Sequence, residues 1–311
     1  MAEIVDNRDN DRSLAIQGFR SSLFGAHTYG RSVLGHEKSI SGVQLKDIKQ
    51  LVKKHVVASN MVLGVSGDIT RSELMSLLDK EFANLKKGSA ALKAVRAPKL
   101  KKGRSLLVID KPERTQSQIV IGTLGSHNRD RDHTALYVAN TAFGGTFTAR
   151  LMNEIRSKRG WSYGASSRLG HDREREAWWM WTFPAMDDAV ACIKVQWELY
   201  QDFVRRGISK KELDFAKEYL INSHAFDIDT AAKRVDQLVD AEVMGLPPRY
   251  YENYVKRVKA VTLKEANTAL KRRLSDNDVS FVIVATANKI EKQLRELKLF
   301  DSIKLLSFDE L

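Results

Sequence analysis

The chain repeats itself, and this limits its folds more than any other feature. Val43-Gln44-Leu45-Lys46-Asp47 matches Val261-Thr262-Leu263-Lys264-Glu265 in residue character, position by position. Further on, Lys54-His55-Val56 faces Arg272-Arg273-Leu274, Asn60 faces Asp278, and the apolar run Met61–Val65 faces Val279–Ile283. Arg71 and Lys289 then begin polar helices. The offset, 261 minus 43 or 218 positions, holds without a gap. Each block reads as helix, turn, strand and second helix. Such units are common enough to match by chance. If the repeat is real, one copy is about 218 residues long and the later copy starts near Arg104. The 311 residues then hold about one and a half copies, and the first half of the first copy is expected to be missing.

Composition allows a buried core in each copy: 43% of residues are hydrophobic and 29% charged, which is ordinary for a globular chain. A single cysteine, Cys192, excludes an internal disulfide framework and any cysteine-based zinc cluster. No apolar run approaches the roughly 20 residues that span a bilayer. The start, MAEIVDNRDNDRS, has no apolar stretch like that of a signal peptide. A soluble chain is expected, its compartment unknown; bacterial cytoplasm and periplasm both fit. The net charge of +12 is densest at Lys86–Arg104, Arg205–Lys211 and Lys256–Arg273. Solvated helix faces and a basic linker account for it. No helix-turn-helix, zinc-finger or aromatic RNA-binding signature accompanies it, so no specific nucleic-acid partner is expected.

Periodicity predicts helices over Ser13–Phe24 and Leu45–Val56, a loop at Gly25–Gly35, and a strand at Met61–Ser66 closed by Gly67-Asp68. Thr70 and Glu73 form a capping box for a helix running to about Leu85. After a linker, strands are expected at Ser105–Ile109 and Gln118–Leu124, then helices at His133–Phe143 and Thr146–Lys158 broken by Gly144-Gly145. Strands at Trp161–Leu169 and Ala177–Phe183 follow, then helices at Asp187–Arg205, Ser209–His224 and Ile228–Met244. The tryptophans Trp178, Trp179 and Trp181 read as sheet or interface packing.

Local motifs name no catalytic centre. A zinc hydrolase needs two histidines one helical turn apart. None of the seven histidines is three or four positions from another, so all seven are expected at the surface. No nucleophile elbow, P-loop or dinucleotide fingerprint occurs.

The run Phe143-Gly144-Gly145-Thr146-Phe147-Thr148-Ala149-Arg150-Leu151-Met152-Asn153-Glu154-Ile155-Arg156-Ser157-Lys158-Arg159-Gly160-Trp161-Ser162-Tyr163 resembles the signature of the insulinase/pitrilysin zinc peptidases, which include mitochondrial processing peptidase. Supporting segments follow in family order: His27–Gly35, Asn60–Asp68, Asp110-Lys111-Pro112 with Gln116-Ser117-Gln118, and Gly207–Tyr219. The resemblance covers nearly the whole chain. It implies an α+β fold of tandem homologous domains of the processing-peptidase-like metallohydrolase type, each a mainly antiparallel sheet packed with helices. Residues 1–88 would be the C-terminal portion of the first domain, 89–104 a linker, and 105–311 the second, metal-free domain.

In the family, the first domain carries an inverted His-x-x-Glu-His, whose histidines and a downstream glutamate hold zinc. The second domain supplies an arginine and a tyrosine that bind the peptide and polarise its carbonyl. The resemblance places that pair at Arg159 and Tyr163 and the distal zinc-ligand glutamate at Glu3. Without it, Arg159 reads as a helix C-terminal charge, Tyr163 as sheet packing and Glu3 as a frayed terminal residue. His-x-x-Glu-His is absent, and one carboxylate cannot supply the three ligands of a catalytic zinc. The chain is therefore not expected to hold zinc tightly or to cleave peptides alone, although the intact family member uses zinc. Expected partners are a peptide or small-protein substrate and a zinc-bearing half, present either as missing N-terminal sequence or as a homologous subunit. The alternative is a non-catalytic partner or scaffold of a zinc-bearing homologue. Half a domain should also leave apolar surface open and favour self-association.

Overall fold

A computed structural model describes residues 2–89 and 95–311. Part of the expected linker, 90–94, lies outside the described residues. The chain opens with helices α1 (Ala2–Asp9) and α2 (Asp11–Phe24), followed by α3 (Glu37–Ser41), α4 (Leu45–His55) and α5 (Arg71–Glu81). Then come β1 (Arg104–Asp110), β2 (Gln118–Leu124), α6 (His133–Asn140), α7 (Arg150–Met152), β3 (Ala165–Leu169) and β4 (Ala177–Thr182). The C-terminal part holds α8 (Ala189–Arg206), α9 (Lys210–Asp227), α10 (Ala231–Met244), α11 (Tyr254–Ala260), α12 (Leu263–Arg273), β5 (Val279–Ala285), α13 (Ala287–Glu296) and β6 (Ser302–Ser307).

The six strands form one sheet in the order β3-β4-β2-β5-β1-β6. The β3–β4, β4–β2 and β2–β5 pairings are antiparallel, whereas β1 runs parallel to both β5 and β6. This is the expected α+β architecture with a mainly antiparallel sheet. Both faces are buried, and the side chains divide between them with period two. Leu106, Val108, Ile119, Ile121, Phe281 and Ile283 join the core beneath α6, α8, α9 and α12. Leu107, Ile109, Val120, Val282 and Val284 point the other way, onto α2 through Leu14, Phe19 and Leu23.

Helix α2 lies close to the sheet because Gly18 has no side chain. A Cβ there would sit 2.7 Å from Ile109 Cδ1. Ion pairs fix its two ends. Arg20 grips the nearly buried Glu176 (3.2 and 3.1 Å). Lys111 Nζ meets Asp11 Oδ1 at 2.8 Å and donates to the Arg8 carbonyl, also at 2.8 Å.

Four expectations are corrected. Met61–Ser66 forms no strand, although its composition suits one: a strand needs a neighbour, and no described strand lies beside it. The segment instead runs past α10, with Gly64 close against Val235 and Val239. The helix expected over His133–Phe143 stops being α-helical at Asn140 and widens into a π turn, Thr141–Gly145. The next expected helix, Thr146–Lys158, begins only at Arg150 and ends in a second π turn, Asn153–Ser157. The strand expected from Trp161 starts at Ala165, because Trp161–Gly164 forms a turn held by Ser162 instead of a ladder. Both capping boxes form as expected, at Thr70/Glu73 and Ser209/Glu212.

Candidate functional site

The family-like run lies between α6 and β3, and two π turns shape it. π turns inside helices recur at functional sites because they re-aim side chains. In the first, Gly144 packs so close to β3 that a Cβ would be 2.5 Å from Ser167 Oγ. Beside it, buried Asn140 accepts from Ser167 Oγ and Trp178 Nε1, both at 2.7 Å. After the turn, Arg150 clamps α7 to its neighbours. It makes two 2.8 Å bonds to Glu212 and one of 3.1 Å to the Gly207 carbonyl. Burial works against the Glu212 charge, but Arg150 and the Ser209 cap hold its carboxyl below the usual value.

The second π turn delivers Arg159. Its Nη1 donates to the Glu154 carbonyl at 2.9 Å and to Glu154 Oε2 at 2.7 Å, and its guanidinium lies 5.4 Å from the Trp161 ring centre. Arg159 thus caps the turn, as expected of a helix-terminal arginine. Its Nε and Nη2 have no protein partner among the described residues. Lys158 also bonds Glu154, and the two cations hold that carboxyl below its usual range, Lys158 contributing most.

Gly160 then takes φ +68°, a left-handed conformation that suits glycine. Ser162 fixes the next turn: its hydroxyl donates to the Gly164 carbonyl at 2.8 Å and accepts from Phe183 N–H at 3.3 Å. Tyr163 stands out from this turn, 79% exposed, and does not pack on the sheet. Phe147 is exposed on the same run, with the Arg156 guanidinium 4.4 Å from its ring centre. The run therefore exposes two aromatic rings, Phe147 and Tyr163, with the Arg156 and Arg159 guanidiniums carried on the same segment.

Glu3 lies exposed in the first turn of α1. Among the described residues no group of three His, Cys, Asp or Glu side chains is placed to hold a metal ion. The residues present therefore do not fit a catalytic zinc. Cys192 is buried in the core, and burial pushes its thiol up to about 12, so it is not a reactive nucleophile. No helix among the described residues is long and apolar enough to cross a membrane.

The expectation of seven surface histidines fails. His133 and His224 are each 8% exposed, and both line a cleft with His171. Spacing along the chain could not reveal this, because the three come from different elements: the start of α6, the β3–β4 turn and the end of α9.

The likeness to known proteins now has a geometry to rest on. Residues 42–220 match the model of the peptidase M16 inactive domain, more than half of the chain. A non-peptidase homolog of Helicobacter pylori is 24% identical over 294 residues, 93% of this chain and 66% of the relative. An uncharacterized zinc protease of Mycobacterium tuberculosis is 25% identical over 307 residues, 95% of this chain and 68% of the relative. The crystal structure of a peptidase M16 inactive domain from Pseudomonas fluorescens superimposes with a TM-score of 0.84 at 27% identity, covering 91% of this chain and 68% of that one. The chain spans about two thirds of the length of these relatives. It belongs to the M16 family of insulinase/pitrilysin-type peptidases and matches the family's inactive, C-terminal-type domain.

Proposed function

We propose that this chain holds peptide for a zinc-bearing M16 half and does not itself perform the hydrolysis. Arg159 and Tyr163 are the residues assigned to that task. The observation that carries the reading is the exposed Tyr163 phenol, set on a turn fixed by Ser162 and four residues from a half-paired guanidinium. Two donors on one short, braced segment can bind a peptide carbonyl and support an oxyanion without reorganising. We further assign residues 1–88 to the C-terminal portion of a first domain, 89–104 to a linker and 105–311 to the second domain. Glu3 would then be a distal zinc ligand, completed by histidines outside this chain.

The test is reconstitution. The chain is coexpressed with a homologous half carrying His-x-x-Glu-His, and cleavage of a fluorogenic peptide is followed. Tyr163→Phe and Arg159→Ala should each lower kcat/KM on the order of a hundredfold, with zinc content by atomic absorption unchanged. Loss of zinc in either variant, or unchanged turnover in both, would overturn the assignment.

A scaffold role is the second reading. It is favoured by the apolar stripe left open on α4, where Leu45, Ile48 and Leu51 are 67%, 51% and 62% exposed. A subunit that docks on a homologue would cover such a stripe. Copurification with a zinc-bearing homologue, without any effect of the two substitutions on cleavage, would select this reading.

A further inference from the structure

A cleft of about 340 Å³ opens between α6, the end of α9, α10 and α11. That is near the lower end of the size range of small-molecule sites, about 300–1,000 Å³. Its walls are aromatic, from Tyr137, Tyr250, Tyr251 and Tyr254.

Opposite charges stand at separate places on these walls. At one, Asp227 closes α9, with Oδ2 3.5 Å from His224 Nδ1, and the His224 ring lies 4.4 Å from that of Tyr254. The Asp227 side chain is 63% exposed, so its second oxygen is open to a guest. At the other, the Arg257 guanidinium lies 3.7 Å from the centre of the Tyr250 ring and donates to the Tyr250 carbonyl. Stacking and that bond fix its direction without cancelling its charge. Asp240, behind the lining residues His171 and Tyr251, is already engaged: His171 Nε2 is 3.1 Å away and the Tyr251 hydroxyl donates to it.

The floor carries an unfilled polar group. His133 is 8% exposed, and its Nδ1 pairs with Ser126 Oγ at 2.8 Å. Its Nε2 has no protein partner among the described residues. Burial keeps the ring neutral, so Nε2 offers a hydrogen bond and no charge.

We propose that this cleft binds a small zwitterion of the amino-acid or dipeptide class, its ammonium group at Asp227 and its carboxylate at Arg257. The tyrosine rings would enclose the guest's apolar part, and His133 Nε2 would meet its backbone. The inference goes beyond the peptide-holding role assigned to Arg159 and Tyr163 and does not depend on it.

Calorimetric titration of the full 311-residue chain at neutral pH tests it without any partner subunit. The probes are glycyl-L-leucine, its N-acetyl derivative and its C-terminal amide. The free dipeptide should bind saturably at millimolar or lower concentration. Each blocked form should bind about tenfold more weakly, the loss expected for one charged hydrogen bond. Asp227→Asn should remove the preference for the free ammonium and leave binding of the N-acetyl derivative unchanged. The substitution is at an exposed site, so folding is not at stake. Equal binding of all three probes, no saturable binding, or an Asp227→Asn variant that binds the free dipeptide normally would each overturn the proposal.

Discussion

Two blocks of matching residue character, 218 positions apart, end in two opposite environments. Helices α4 and α12 have the same length of 11 residues and begin at equivalent repeat positions, Leu45 and Leu263. In α12, Ala266, Ala269 and Leu270 are buried, at 0%, 1% and 0% exposure. Their counterparts in α4 are Ile48, Leu51 and Val52, exposed at 51%, 62% and 47%. The following segment diverges further. Val279–Ala285 becomes β5, buried at every position between β1 and β2, whereas Met61–Val65 forms no strand and stays half exposed. Burying a large apolar side chain contributes roughly 1.5–3 kcal/mol. The open copy forgoes that several times over. Local sequence made the helix in both places; the neighbouring strands made the difference.

The largest contrast is expected from one charge placed at equivalent positions. Ala269→Glu puts an unpaired carboxylate into the core and should cost several kcal/mol or abolish folding. Leu51→Glu should leave the urea midpoint unchanged and reduce self-association in sedimentation runs. If Leu51→Glu destabilised the chain comparably, the open stripe would be covered in solution and the contrast would fail.

Next comes truncation in the strand. Ile283→Ala should cost about 3 kcal/mol and Val65→Ala less than about 0.5 kcal/mol, read from urea unfolding.

Acid should strike the C-terminal half of the chain through His133. Unfolded, the imidazole takes its proton near 6.5; folded, burial first and then neighbouring His171 hold the value down at about 4. Between these values the unfolded chain binds the proton and the folded chain does not, so stability falls as pH drops from 6.5 towards 4. The loss should be on the order of 2–3 kcal/mol. His133→Gln should flatten that slope in urea midpoints measured across the window; an unchanged slope would remove His133 as its source.

The smallest contrast concerns the caps. Glu265 N–H donates to Thr262 Oγ1 at 3.2 Å, and Thr262 N–H donates to Glu265 at 2.8 Å. Thr262→Ala should cost about 1 kcal/mol, and Gln44→Ala a few tenths, in thermal melts.

Much of the chain was legible in the sequence where local forces and tertiary packing agree. The apolar runs at Ser105–Ile109 and Gln118–Leu124 became strands, the first extended by one residue at each end, and Thr70/Glu73 and Ser209/Glu212 capped the helices they precede. Where the two disagree, the reading failed. Met61–Ser66 has a strand's composition and no strand to pair with. The π turns around Gly144 and Ile155 arise from packing against β3 and the Glu154 contacts, which the helical period does not encode. The family-like run was visible as a motif. That Tyr163 would stand free and Arg159 would be half paired depended on Ser162 and Glu154.

The histidines mark the limit. Their spacing excluded a zinc helix, because two ligands on one helix must lie a turn apart. That spacing carries no information about His133, His171 and His224 lining one cleft from different elements of the fold. Sequence alone determined most of the helices, the caps, the matching blocks and the family resemblance, since each depends on neighbours along the chain. Tertiary structure decided which of the two matching blocks is buried, which tyrosine is exposed and which histidines line one cleft. Those outcomes depend on long-range burial of apolar surface, the main force driving folding, and burial is set by what lies alongside a segment in space.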